Sequence, residues 1–509
     1  MPFQQVVIQG HTYSLDTKYD LSAGKILGRG SFGVVTTALD TVSKQQIAIK
    51  RIRPYSNDEW DARHTIREIR LMKLLKDHPN VITLYDLSLF EEKAELYMMM
   101  ELMDCDLHRI IQSKQALSDQ HYKCFTKQLL EGIKAMHSVG VFHRDLKPGN
   151  ILVAKDCQLR ITDFGLARYM DDQTLAGNNR ENPMTEYVVT RWYRCPELLL
   201  APNRPYTEAV DMWSIGCILG ELINRKPLFP GKSHAHQVQL VFELKGYKGP
   251  SDDFGFALSS EAVSFLDRRC KGPGSTLAAF VPHAIPPALS LLDAMLKTDP
   301  NKRPSAADCL KFPYMADAQT TCDYSKGTTL KRPDRSYFDF ENQKYTLAQL
   351  CTLIRKEVAE SQGVPFEEFL KNNNIANEVL PNDTHAPPAV PTLGAVGSQT
   401  SGVQLSARME EDGGTTPATV RANHGGGPSQ TALNANDAAV RAAATKADVN
   451  AAGGKAWFPG LNANGVSQQP EKKQGGGIMN MIMGKKEPST EDINKDMNKL
   501  TTKFPALQK

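Results

Sequence analysis

The stretch His143-Arg144-Asp145-Leu146-Lys147-Pro148-Gly149-Asn150 sets a carboxylate, an ammonium and an amide within reach of one another. These residue types suit phosphoryl transfer. Asp145 can position an attacking hydroxyl, Lys147 can offset charge on the moving phosphoryl group, and Asn150 can hold a metal. Downstream stands Asp163-Phe164-Gly165, whose Asp163 can complete the coordination of Mg2+, a hard cation that prefers oxygen ligands. Upstream, Gly28-x-Gly30-x-x-Gly33 lies between two strand-like runs with Val35 following. Its backbone N–H groups can lie over phosphates without side-chain obstruction, although an ordinary β-turn would use the same glycines. Ile47-Ala48-Ile49-Lys50 puts an ammonium on an interior strand, where it needs a partner, and Glu68 in TIREIRLM can supply one. A second constellation is PMTEYVVTRWYRCPE, residues 183 to 197, where Thr185 and Tyr187 flank a carboxylate beside Arg191 and Arg194. Two hydroxyls near two guanidinium groups suit a place that receives phosphates. Arg303 in DPNKRPS offers Glu197 an ion-pair partner.

The elements that must position these residues follow from periodicity. KILGRGSFGVVTTALD (25–40) and QQIAIKRI (45–52) alternate as strands around the glycine-rich turn, and a helix is expected from about Asp58 to Lys76. Two strand-like runs follow, at 81–90 and 94–102. After Asp106 the pattern turns helical, at 119–138, 208–224 and 286–297. A sheet-rich unit followed by a helix-rich unit predicts an α+β fold in two lobes. From roughly 376 to 475 the chain is Ala, Gly, Asn, Thr and Pro, with too few large apolar groups to offset chain entropy.

The 509 residues exceed one compact domain. With 60 basic and 57 acidic residues the net charge is only +3, which makes no case for nucleic-acid binding. Nine scattered cysteines without a C-x-x-C pair argue against a disulfide framework and for a reducing compartment. The N-terminus lacks a secretory pattern, and the apolar run at 210–223 is too short for a bilayer and contains Asp211 and Glu221. No membrane association is expected.

Taken in order, the glycine-rich loop, Lys50, Glu68, HRDLKPGN, DFG and CPE form a set that resembles the eukaryotic protein kinases. TEYVVTRWYRCPELLL narrows it: with HPNVITLYD, ELMDCDL and NRKPLFPGKSHAHQ it looks like the mitogen-activated protein kinases of the Thr-Glu-Tyr type, the extracellular-signal-regulated branch. The cyclin-dependent branch is the near rival, but DARHTIREI around Glu68 is unlike its cyclin-binding sequence. The resemblance implies a bilobal kinase fold with a mainly β N-lobe carrying one regulatory helix and a mainly α C-lobe. It divides the chain into an N-terminal extension (1–19), a kinase domain (20–315, lobes meeting near 102), a C-terminal extension packing back on the N-lobe (316–361) and a low-complexity tail expected to be disordered (362–509).

It further implies a Ser/Thr kinase that transfers the γ-phosphate of ATP, with Mg2+, to Ser/Thr-Pro sites. Asp145, Lys147 and Asn150 would be catalytic, with Asn150 and Asp163 on the metal. Leu27, Gly28, Gly30, Ser31, Gly33, Val35, Lys50, Glu68, Met100, Glu101 and Met103 would surround ATP, Met100 as gatekeeper and Glu101 and Met103 on the hinge. Thr185 and Tyr187 would be phosphorylated by an upstream dual-specificity MAP kinase kinase, each phosphate adding about −1.5 to −2 charges. Arg67, Arg144 and Arg168 would gather around Thr185, and Arg191 and Arg194 around Tyr187. A monomer is expected, cytoplasmic or also nuclear.

Two departures from the family pattern stand out. The acidic docking region, 312–336, has Asp317 and Asp323 crowded by Lys326, Lys331, Arg332 and Arg335, which should weaken a basic ligand. Cys195 stands before Pro-Glu, where it reads as a small buried thiol, with a redox sensor as the alternative because Arg191 and Arg194 are near.

Overall fold

The computed structural model describes residues 3–30, 33–170, 191–201, 207–324, 330–373 and 375. Strands β1 (Phe3–Ile8) and β2 (His11–Asp16) form an antiparallel hairpin. Its Ile8, Tyr13 and Leu15 pack with Ile47, Ile49, Tyr97 and Met99, so the start of the chain is part of the N-lobe core.

The main sheet contains β3 (Tyr19–Asp20), β4 (Ile26–Gly30), β5 (Gly33–Asp40), β6 (Gln45–Ile52), β7 (Leu84–Phe90) and β8 (Glu95–Glu101). It runs β3-β5-β6-β8-β7, with β4 paired to β5. Every pairing is antiparallel. The register sets Lys50 opposite Val35 on one side and Met98 on the other, and Ala48 opposite Met100.

Helix α1 (Glu59–Leu75) crosses this lobe. Asp58 caps it by accepting from the Asp61 amide, Glu59 and Asp61 face the positive end of its dipole, and Lys73 lies in the last turn. The C-lobe rests on two long helices. Asp119–Ser138 is opened by a capping box between Ser118 and His121, and Ala209–Asn224 is buried from Ala209 through Ile223. The helical expectations therefore fall on helices, with ends shifted by a few residues.

The helix Leu347–Ser361, capped by Thr346 and Gln349, packs along α1 and β7. Arg70 and Lys73 of α1 meet its Glu357 at 2.6 and 2.7 Å. The tail boundary at 362 needs correction. A further helix, Phe366–Asn372, buries Phe369 and Leu370, an apolar pair sufficient to keep this turn on the folded unit. The low-complexity stretch from 376 lies outside the described residues.

Candidate active site

Between the lobes, Lys50 on β6 and Glu68 on α1 form an ion pair at 2.5 Å, with side chains 13% and 7% exposed. Burial opposes the Lys50 charge, but Glu68 and Asp163 outweigh it and raise its pKa. Burial likewise raises the Glu68 carboxyl, against the pull of Lys50. Two charges this deep are tolerated because they satisfy one another, so the pair fixes α1 against the sheet.

The glycines at the rim divide into two kinds. A Cβ on Gly33 would come within 2.1 Å of the Arg51 carbonyl oxygen, so the fold itself demands glycine there. At Gly28 and Gly30 an added Cβ would meet nothing within 4 Å. The protein alone gives no steric reason for those two, and the open space they border suits a phosphate group close to the backbone. Leu27 lies at a register shift in β4, Val35 faces Gly28 across the hairpin, and Ser31 at its tip lies outside the described residues.

Met100 on β8 and Met103, two residues past the strand's end, are 7% and 6% exposed, and both side chains are flexible. The Glu101 amide donates to the Thr83 carbonyl at 3.0 Å. Its carboxylate receives Arg160 through two bonds, at 2.9 and 3.0 Å, which tie the hinge to the strand Leu159–Ile161. That tie was not read from the sequence.

In the C-lobe, Lys147 Nζ donates to Asp145 Oδ2 at 2.8 Å, and Asn150 Nδ2 donates to the same oxygen at 3.0 Å and to the Asp145 carbonyl at 3.0 Å. Asp145 Oδ1 is left without such a donor among the described residues. Burial, only partly offset by Lys147, raises the Asp145 pKa. The Asn150 amide nitrogen is committed to Asp145, so its oxygen is the end available to a cation. Asp163, held at a φ of +67° in a conformation uncommon for a side-chain-bearing residue, offers a second hard donor. Two oxygen-bearing side chains rather than a closed cage fit Mg2+ shared with phosphates.

The backbone of this loop hangs from Asp211, which is fully buried in the helix Ala209–Asn224. Asp211 Oδ2 accepts from His143 N at 2.9 Å and His137 Nε2 at 2.9 Å, and Oδ1 accepts from Arg144 N at 2.8 Å. Burial works against its charge, but His137, His143 and the Arg144 amide prevail and hold its pKa low. Asp211 had counted only against a membrane span. A carboxylate inside an otherwise apolar helix was nevertheless the available signal, because such a group must find donors.

Glu197 and Arg303 form a bidentate pair, with both N–O distances 2.7 Å, and the Arg303 side chain is fully buried. Cys195 beside them is 1% exposed, and burial with Glu197 pushes its thiol well above the usual range. That leaves a packing thiol and removes the basis for the redox alternative. Asp317 is engaged by Lys123 at 2.9 Å and by Gln120 at 3.1 Å, so a cation already occupies this part of the acidic region. Lys326 lies outside the described residues.

Arg67 and Arg168 converge, but on a carboxylate of the chain itself. Glu341 receives Arg67 Nε, Arg67 Nη2 at 2.7 Å and Arg168 at 3.4 Å. Arg144, at a φ of +68°, donates to the Leu166 carbonyl at 3.3 Å. Arg191 opens a short 3-10 turn, Arg191–Tyr193, and Arg194 is buried just after it. Thr185 and Tyr187 lie outside the described residues.

The comparisons agree with this geometry. The family model described as the protein kinase domain matches residues 21–315, which sets the class. Mitogen-activated protein kinase 3 of Arabidopsis thaliana is 41% identical over 353 residues, covering 69% of this chain and 91% of the relative. The mitogen-activated protein kinase homolog MMK2 of Medicago sativa is 40% identical over 359 residues, with 70% and 92% covered. Mitogen-activated protein kinase 5 of Oryza sativa subsp. indica is 39% identical over 357 residues, with 69% and 92% covered. The chain belongs to the mitogen-activated protein kinases of the eukaryotic protein kinase superfamily. It is a Ser/Thr protein kinase that uses ATP, acts on protein substrates and works in a cascade below another kinase.

Proposed function

We propose that the chain transfers the γ-phosphate of ATP to Ser or Thr residues followed by proline, with Mg2+ as the metal. In this reading an upstream dual-specificity MAP kinase kinase switches it on by phosphorylating Thr185 and Tyr187. The chief support for the transfer step is the polarisation of Asp145, whose Oδ2 is held by Lys147 and Asn150 while Oδ1 stays open. A substrate hydroxyl donates to Oδ1. As its oxygen bonds to the γ-phosphorus and the bond to the ADP oxygen breaks, the hydroxyl proton passes to Asp145.

Lys147 offsets charge on the transferred group, and Lys50, held by Glu68, grips the α- and β-phosphates. Gly28, Gly30, Ser31 and Gly33 cover the phosphates, while Leu27, Val35, Met100, Glu101 and Met103 enclose the base. Asn150 and Asp163 would hold Mg2+, which would supply positive charge at the phosphates. Proline preference rests on the resemblance of Val188 to Trp192 to the pocket for the following residue. The near-balanced charge supports a protein that binds no nucleic acid. The family resemblance supports a monomer in the cytoplasm or also the nucleus.

The test is labelled-phosphate transfer to a Ser-Pro peptide and its Ser-Ala counterpart, before and after phosphorylation of both lip residues. Strong transfer to the proline peptide alone, raised by the two phosphates, is expected. Equal use of both peptides would remove the proline preference, and equal activity without phosphate would remove the switch.

A further inference from the structure

Glu341 ends the 3-10 segment Arg335–Glu341, and its side chain is only 7% exposed. Its position is built rather than incidental. Phe338 and Phe340 are 3% and 1% exposed. Tyr337 lies under the Arg70 guanidinium at 4.8 Å, and Arg63 donates to the Gln343 carbonyl at 3.1 Å. These anchors deliver one carboxylate to two arginines on different parts of the machine. Arg67 precedes Glu68 on α1 and also donates to the Gly165 carbonyl, and Arg168 follows the DFG segment.

We propose that Glu341 is a positioning residue for phosphoryl transfer: by bridging Arg67 and Arg168 it sets the Lys50–Glu68 pair in the chain before the lip is phosphorylated. The chain thus supplies internally an anion at the arginines to which the family reading assigns the Thr185 phosphate. Arg67 is the mechanical link, because its backbone neighbour Glu68 must lie inward for Lys50 to reach it at 2.5 Å. A phosphate carries about −1.5 to −2 charges and can take over the part of Glu341 at these arginines. Burial alone would raise the Glu341 pKa, yet Arg67 and Arg168 hold it down to about 2, so the anion persists throughout the physiological range.

This inference deepens the proposed lip switch and rests on it, so the experiment separates the two. Full-length wild type, Glu341→Gln and Glu341→Asp are each prepared free of lip phosphate and doubly phosphorylated. For each, kcat, KM for ATP and melting temperature are measured. Without phosphate, Glu341→Gln is expected to lower kcat by about ten- to a hundredfold, the range that misplacement of a catalytic group produces. Glu341→Asp should recover part of the loss. Phosphorylation should bring Glu341→Gln to within a few-fold of phosphorylated wild type, a rescue that a merely structural bond would not give.

Equal or higher activity of unphosphorylated Glu341→Gln overturns the inference, as does an equal loss in both states. An unphosphorylated wild type without measurable transfer overturns it too, provided the phosphorylated form transfers. Failure of wild type in both states instead overturns the proposed function.

Discussion

Asp145 shows how neighbours divide the work of one carboxylate. One oxygen is fixed by an ammonium and an amide, and under the proposed function the other would meet the substrate hydroxyl. The local spacing made this legible, because Lys147 and Asn150 lie two and five residues away. Asp211, 68 residues from His143, was not legible as a partner because two of its three donors are backbone amides of a distant loop. Its substitution is a residue-scale test. A carboxamide in place of this carboxylate would offer a single acceptor oxygen and turn an N–H toward donors. Asp211→Asn should therefore cost about 1–3 kcal/mol of stability for each buried group left unpaired. It should also lower kcat more than it weakens ATP binding. Urea unfolding together with steady-state kinetics checks both effects.

At the scale of elements, the decisive contact is α1 against the C-terminal extension. Arg70 and Lys73 share Glu357, whose side chain is 6% exposed. Removing that charge leaves Arg70 without its carboxylate while Lys73 keeps Glu360 at 2.8 Å, and Glu357→Gln should destabilise the protein by about 3 kcal/mol, the low end for breaking a buried pair. Hydrogen exchange should accelerate together in α1 and Leu347–Ser361, whereas a loss confined to the extension would show that α1 holds without it. That the extension packs back on the N-lobe was implied by the family resemblance. Its register on α1 was not, because Glu357 lies 287 residues from Arg70 and Glu341 lies 274 from Arg67. A carboxylate in FDFE carries no local sign that it will meet arginines, whereas Lys50 on an interior strand announces that it needs a partner.

Across the whole molecule, two buried glutamates give stability opposite dependences on pH. Glu341 falls from 4.5 to about 2, so its contribution is full above about 4.5 and is lost as pH drops through 2. Burial raises Glu221, which accepts from Tyr193 at 2.6 Å, from 4.5 to about 7, so the folded state holds its proton longer and stability declines as pH rises from 4.5 through 7. Each effect is on the order of 3 kcal/mol at about 1.36 kcal/mol per pKa unit. Glu341→Gln should flatten the acid limb and Glu221→Gln the neutral one, as read by denaturant midpoints across pH. The two-lobed architecture and the grouping of Lys147 and Asn150 around Asp145 were legible because each motif sits in a short window. The bonds that unite the lobes with the extension had to be seen in three dimensions. The central claim, phosphoryl transfer organised by Asp145, is tested most directly by comparing γ-phosphate transfer and ATP affinity in wild type and Asp145→Asn. A loss of transfer of about 10²–10⁴-fold with ATP affinity unchanged is predicted, whereas wild-type transfer by the variant would contradict it.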